Sequence, residues 1–521
     1  MRLAGSWRRA RLRTGCVALS LLALALTGAA DARAGTSLFV GAAENDALTA
    51  DPVLAKSRMD LAALAGFGTV RVALSWTRGE TALGTQQTGL RNAVTAAQLD
   101  GVRLIASIYP QSWREAPLTA QARAQFAAFA ASVARAFPAI TDFIVGNEPN
   151  LNLFWMPQFG PNGADVAARS YELLLARTYD AIKAVSPDLD VIGGALASHG
   201  EDKPDSLRPT HSPTAFIADL GAAYRASHRR RPIMDAFAIH PYLIPSSLPP
   251  TFAHPRTTTI TIADYPKLVR LLTQAFAGTA QRGETLPIVY DEFGYQSRIP
   301  TAKRSFYTHL GSRAARDAIS ESEQAAYYRQ AFALAACEPT VAGILIFHVV
   351  DERDARAWQS GVYYSDGTPK TSLAAVRRAA LAAAAGETPC AAAKTTDDVA
   401  DVVFRAPTPT EPTMLEADFT CAEPCTYQLR ILDAGTSDVA AEVHGNAVGP
   451  FAAKVPAAAL SAGTYEYALR VFKCGKPGTA HTLFSSSFAV GAAAAASGAS
   501  AAGAPVDAQW LPTLLPVAPA S

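Results

Sequence analysis

Between residue 37 and about residue 385 the chain alternates short apolar runs with longer amphipathic stretches rich in Ala and Leu. An apolar run of strand length followed by an amphipathic stretch of helix length reads as a βα unit. A series of such units reads as a parallel sheet covered by helices. Eight units fit this pattern. Strands are expected near residues 37–43, 69–76, 103–109, 140–146, 190–197, 234–240, 286–290 and 341–348. Helices are expected over 52–65, 119–136, 166–185, 213–227, 263–277 and 321–336, with 371–385 as the eighth. Eight units in ~350 residues make a (β/α)8 TIM barrel with long loops, above the ~250 residues usual for that fold. The competing open, doubly wound sheet would carry a Gly-rich first turn, and none is present.

The 521 residues are too many for one average core, so a second, smaller domain is expected. Beyond residue 386 the texture changes. Residues 387–400 read as a linker. Residues 401–490 carry alternating runs separated by turn residues, such as YQLRIL at 427–432 and YEYALRV at 465–471, which predicts a small antiparallel, Ig-like β-sandwich. Residues 491–521 are rich in Ala, Ser, Gly and Pro and read as a disordered tail. The barrel domain is thus assigned to 35–386.

Residues 1–34 have the layout of a signal peptide. Arg2, Arg8, Arg9, Arg11 and Arg13 form a basic region, 16–30 is apolar, and Ala32-Arg33-Ala34 is a small-x-small cleavage site. The expectation is a secreted protein cleaved near Ala34, with no membrane span afterwards, because the apolar run is short for one. Export permits disulfides among Cys337, Cys390, Cys421, Cys425 and Cys474. Cys337 is expected to pair with Cys390, and two of the remaining three with each other. Net charge is +1, from 46 basic and 45 acidic residues. This gives no global field to draw in nucleic acid or an anionic membrane. No Cys/His spacing resembles a zinc site and no Gly-rich phosphate loop is present, so no metal or cofactor is expected.

Two rim carboxylates carry the chemistry. The fourth strand, in ITDFIVGNEPN at 140–150, ends on Asn147-Glu148, and Pro149 stops the ladder. The seventh, PIVY at 287–290, runs into Asp291-Glu292-Phe293-Gly294. Both deliver a Glu to the C-terminal rim, where barrel chemistry is sited. Strands four and seven face each other across the mouth. Glycoside hydrolysis needs such a pair: one carboxyl group protonates the leaving oxygen, and the other attacks the anomeric carbon or activates water there. Asp291 is expected to point to the opposite face from Glu292, since strand side chains alternate.

With these motifs the barrel resembles the glycoside hydrolases of clan A, in the style of families 39 and 5. The resemblance rests on NEPN at 147–150, on Glu292, on His240-Pro241-Tyr242 at strand six and on Val70-Arg71-Val72 at strand two. It implies a retaining mechanism on a β-linked oligo- or polysaccharide, with Glu148 as acid/base and Glu292 as nucleophile. It further implies that Asn147 bonds the sugar 2-hydroxyl, that Tyr242 bonds the nucleophile, that His240 lines the site near Glu148, and that Arg71 keeps Glu292 ionised. The sequence departs from the clan at strand eight, where Phe347-His348 replaces the usual Trp and Trp358 follows as a substitute. It departs again at strand three, which ends in Tyr109 rather than His.

Trp76, Trp113, Phe154, Trp155 and Trp358 follow barrel strands and are candidates for sugar stacking. Trp76, Tyr109, Trp155 and Trp358 are taken as substrate-binding residues. Glu44, Asn45, Asp351 and Glu352 sit on the correct rim, with solvated loop charges as the simpler reading. Two alternatives stay open: a transglycosylase, which differs in the acceptor, and a non-catalytic carbohydrate-binding or cell-wall-associated protein. The C-terminal domain is the candidate for wall or glycan contact.

Overall fold

The computed structural model describes residues 37–243, 247–254, 257–310, 318–390, 399–405, 414–434, 438–457, 460–473, 481–484 and 488–490. The expected signal peptide, most of the linker, Cys474 and the expected tail lie outside the described residues.

Eight parallel strands close into a barrel: β1 (Phe39–Ala43), β2 (Thr69–Trp76), β3 (Arg103–Pro110), β4 (Asp142–Val145), β5 (Asp190–Ala197), β6 (Ala236–His240), β7 (Ile288–Phe293) and β8 (Val341–Phe347). The helices that cover it are α1 (Pro52–Leu64), α2 (Gln86–Asp100), α3 (Ala120–Ala136), α4 (Ala167–Lys183), α5 (Pro213–Ala226), α6 (Tyr265–Phe276), α7 (Glu321–Cys337) and α8 (Leu373–Ala385). The strands match the expected ones closely. Helix α2 escaped the sequence pattern: its buried face is Gly89, Leu90, Ala93, Ala96 and Ala97, mostly side chains too small to mark an apolar stripe.

Local signals fix the helix ends. Asp51 accepts hydrogen bonds from the Val53 and Leu54 amides ahead of Pro52, and Ser320 with Glu323 forms a capping box on α7. Helices α2 and α8 stop at Gly101 and Gly386, both left-handed.

The barrel has an interior and an exterior core. Inside lie Ile105, Ile144, Ile192, Ala195, Ala236, Ala238, Val289 and Leu345. Below them, Phe39 at the start of β1 carries the Arg103 guanidinium over its ring at 4.7 Å, and Arg103 Nε–H donates to Asp142 Oδ2 at 2.9 Å. The bottom of the interior is thus closed by Phe39 and the Arg103–Asp142 pair, and the polar side chains of the site lie at the C-terminal end of the strands. Gly343 of β8 leaves room for Phe39: a Cβ there would lie 2.1 Å from the ring.

The C-terminal unit is a six-stranded antiparallel sheet, the sandwich-like domain expected. Its strands are β9 (Val399–Arg405), β10 (Met414–Asp433), β11 (Val439–Pro456), β12 (Gly463–Lys473), β13 (His481–Phe484) and β14 (Phe488–Val490). The long β10 pairs with β11 along its length, while on its other edge it pairs with β9 first and with β12 later. Its register with β11 shifts between Cys421 and Cys425, which form a disulfide. Cys337 at the end of α7 is bonded to Cys390, as expected.

Gly343→Ala should destabilise the barrel by about 1–3 kcal/mol, because the added methyl meets an aromatic ring in a filled interior. A lowered thermal midpoint checks this, and an unchanged midpoint would mean that Phe39 moves aside freely.

Candidate active site

At the end of β4 the backbone turns sharply to present Glu148. Gly146 has φ +92°, and a Cβ there would lie 2.9 Å from the Tyr171 ring. Glu148 itself has φ +41°, a conformation that costs a non-glycine residue about 1–3 kcal/mol and persists only under external constraint. The constraint comes from β5. Its register with β6 shifts between Gly194 and Leu196, and Ala195 there also has a positive φ of +48°. The irregularity offers the Ala195 carbonyl to the Glu148 amide at 2.8 Å. The Tyr171 hydroxyl from α4 clamps the two strand ends, donating to the Val145 carbonyl at 2.6 Å and accepting from the Gly194 amide at 2.8 Å.

Asn150 completes the support. Fully buried, it accepts from the Ala197 amide at 3.0 Å and donates to the His211 carbonyl at 3.0 Å and the His199 carbonyl at 3.3 Å. The Asn147–Asn150 turn is therefore tied to the loop after β5. Sequence reasoning took Asn150 only as part of the NEPN motif and missed Tyr171.

Glu292 and Asp291 enter from β7. The register of β7 with β8 shifts between Tyr290 and Phe293, so strict alternation fails there. Both carboxylates reach the same partners, which corrects the expectation that Asp291 turns away. Arg71, buried on β2, donates Nη1–H to Glu292 Oε1 at 2.5 Å, and its Nε lies 3.6 Å from Asp291 Oδ2. Its Nη2 donates to Ser107 Oγ at 3.1 Å and to Asn147 Oδ1 at 3.2 Å. With its carbonyl oxygen engaged by Arg71, Asn147 makes no side-chain amide N–H bond among the described residues. Burial alone would lower the Arg71 pKa, but the Glu292 and Asp291 charges push it up, so it is a permanent cation.

His240, at the end of β6, is wholly buried between the carboxylates. Its Nδ1 is 2.9 Å from Glu148 Oε1 and 3.5 Å from Glu292 Oε2; its Nε2 is 3.3 Å from Asp291 Oδ2. Burial disfavours its cation, but the charges of Glu292 and Asp291 hold its pKa well above the ordinary imidazole value. Burial raises the Glu148 pKa, and the bond to His240 opposes this only in part. The Tyr242 hydroxyl donates to Glu292 Oε2 at 3.3 Å. Tyr109 lies within the fields of Arg71, Glu292 and Glu148. Glu148, Glu292, Asn147, His240, Tyr242, Arg71 and Tyr109 are therefore brought together.

Two of the four expected aromatics meet the mouth and two do not. The half-buried Trp358 lies against Tyr242 with centroids 4.9 Å apart and ring planes inclined at 34°, and edge-on to Phe347 at 5.8 Å. Glu352 accepts from the Trp358 amide at 2.7 Å and so holds that loop. Trp76 is fully buried against Phe126 of α3, and its Nε1–H donates to the Glu80 carbonyl. Five residues beyond the inward Arg71, it faces the helices. Trp155 is equally buried, bonded to Ser170 and packed on Tyr171. Neither can stack on a sugar, and both are corrected to packing residues. Glu44 is also structural: its Oε2 accepts from the Val349 and Val350 amides at 3.1 Å, fixing the loop after β8. Asp351 is buried against Lys370 at 2.7 Å and Tyr307 at 2.7 Å, and Asn45 accepts from the Ala73 amide.

No sequence-family model and no curated protein matches the chain. Solved structures do resemble it. A family 39 glycoside hydrolase from Bacteroides cellulosilyticus WH2 is 18% identical, over 81% of this chain and 81% of that one, with a TM-score of 0.48. An endo-β-1,4-mannanase from Thermotoga petrophila is 11% identical, over 87% and 98%, with a TM-score of 0.43. GH5_18 from Streptomyces cattleya, in complex with GlcNAc, is 17% identical, over 67% and 81%, with a TM-score of 0.43.

Asn150→Ala should cost about 1–3 kcal/mol, since it strands buried backbone groups of the loop after β5. Hydrogen exchange reads it locally: the Ala197 amide should exchange faster than in the wild type, and unaltered protection there would refute the tether.

Proposed function

We propose that the protein is an exported glycoside hydrolase that cleaves β-linked glycosidic bonds with retention, through Glu292 as nucleophile and Glu148 as acid/base. The observation that carries the reading is a shared partner: Glu148 and Glu292 both approach His240 Nδ1, at 2.9 and 3.5 Å. The two oxygens concerned cannot be farther apart than the sum of these distances. That limit accommodates the ~5–5.5 Å of retaining enzymes and reaches only the lower edge of the ~6.5–9.5 Å that leaves room for water in inverting ones, which favours retention.

The roles follow from the surroundings. Glu148 sits where burial favours its protonated form, as an acid at neutral pH requires. Glu292 sits against the Arg71 cation and the Tyr242 hydroxyl, which orient its carboxylate as a nucleophile requires. Glu148 protonates the glycosidic oxygen as Glu292 attacks the anomeric carbon. Glu148 then takes a proton from a water whose oxygen bonds to the anomeric carbon, and the carbon–Glu292 bond breaks to release the sugar. Asn147 offers its amide to the 2-hydroxyl, and Trp358 with Tyr242 forms an aromatic wall for C–H faces of the sugar. Export is supported by the Cys337–Cys390 and Cys421–Cys425 disulfides, which persist in oxidising compartments. No helix among the described residues is long and apolar enough to cross a membrane.

Glu148→Ala should lose about 10²–10⁴-fold in kcat/KM on glycosides with poor leaving groups. On activated aryl β-glycosides it should still form a glycosyl-enzyme, and added azide should restore turnover as a β-glycosyl azide. Wild-type protein that binds oligosaccharides but turns over no member of a broad glycoside panel would favour a binding protein instead. Trp358→Ala should raise KM with little change in thermal midpoint. Trp76→Ala should lower stability by about 3–5 kcal/mol and leave KM unchanged; the reverse pattern would place Trp76 in the mouth.

A further inference from the structure

Asp291 is a third carboxylate in the site, and the two-glutamate mechanism has no use for it. It is 0% exposed, so it cannot touch a substrate. Its charged neighbours are His240 Nε2 at 3.3 Å and Arg71 Nε at 3.6 Å. The chain Asp291–His240–Glu148 thus runs from a sealed anion, through one imidazole, to the acid/base.

The proton count along this chain decides what Glu148 can do. If His240 is neutral with its proton on Nε2, toward Asp291, then Nδ1 is an acceptor. The acid proton of Glu148 would then lie on Oε1 and point into His240, away from any leaving group. If His240 is an imidazolium, Nδ1–H donates to Glu148 Oε1. The acid proton must then sit on Oε2, the oxygen left free for the substrate.

We infer that Asp291 is a positioning residue that keeps His240 an imidazolium and thereby holds the acid proton of Glu148 on the oxygen facing the glycosidic bond. This rests on the glycosidase reading above. Charge supports it: Arg71 and His240 as cations balance Asp291 and Glu292 as anions, so a protonated Glu148 completes a neutral buried cluster. Without Asp291 the cluster would carry an extra positive charge, relieved most directly by loss of the His240 proton. Burial works against the Asp291 anion, but His240 and Arg71 hold it below the ordinary carboxylate range. The groups facing His240 are Glu148 from the end of β4 and Asp291 and Glu292 from β7, with Tyr242 just beyond β6 and Arg71 behind both β7 carboxylates. In the first step the Oε2 proton passes to the glycosidic oxygen, the C–O bond breaks and the Glu292–carbon bond forms. The new Glu148 anion is left accepting the His240 Nδ1–H bond, which stabilises it.

The test compares wild type and Asp291→Asn on two aryl β-glycosides, one with a 2,4-dinitrophenyl and one with a p-methoxyphenyl leaving group. The variant should lose about 10²–10³-fold in kcat/KM on the poor leaving group, the size of a general-acid contribution. On the activated one it should change less than about threefold. Equal losses on both would overturn the inference in favour of a structural role. A second measurement needs neither substrate nor variant. The ¹⁵N shifts of His240 in the wild-type full chain should report an imidazolium at pH 7, and a neutral ring there would overturn the inference even if Asp291→Asn fails to fold. Failure of the glycosidase reading shows up separately, as wild-type protein inert toward both glycosides.

Discussion

The structure depends on burying charges of both signs at one end of a barrel whose other end is closed. Arg71, His240, Asp291, Glu292 and Glu148 converge from β2, β4, β6 and β7. Isolated, any one of these groups would be expelled or held in its neutral form. Arg71 and His240 lie within 3.6 Å of the β7 carboxylates, so charges of opposite sign offset one another, while burial raises the pKa of Glu148. Removing a single member leaves a buried charge that a neighbour must shed by changing its protonation state, or that stays uncompensated at a cost in stability. The network can exist only if the strand ends that carry it are fixed in place.

Fixing them explains the irregular features of the rim. Glu148 and Ala195 both adopt left-handed backbone conformations, and each answers the other through one hydrogen bond. Tyr171 and Asn150 brace this pair from outside the barrel. On the opposite side, Glu44 and the Lys370–Asp351 pair hold the loop after β8, from which Trp358 reaches over Tyr242. The charged residues along the rim thus divide into those that face the mouth and those that anchor the loops forming it.

This division sets how far the sequence could be read. The barrel was legible because strand and helix periods alternate cleanly, and Glu148 and Glu292 because each ends a buried run. Trp76 was misassigned although its place was readable: it is an odd number of residues from Arg71, so the two side chains face opposite ways. Asp291 was misjudged because the same rule breaks where β7 slips against β8, a long-range event that one strand's sequence does not encode. Tyr171, Asn150 and Glu44 act on backbone groups far along the chain, and no local pattern marks a side chain for that. Helix α2 lacked an apolar stripe because it packs mainly through alanine and glycine.

The proposed attack of Glu292 on the anomeric carbon can be caught by trapping with 2,4-dinitrophenyl 2-deoxy-2-fluoro-β-glycosides, a panel in which fluorine slows release of the glycosyl-enzyme. Peptide mass spectrometry then locates the sugar. The expected result is one glycosyl group per chain, esterified to Glu292, and none when Glu292 is replaced by Gln. An adduct on Glu148, or steady turnover of β-glycosides with no adduct and with inversion at the anomeric carbon, would contradict it.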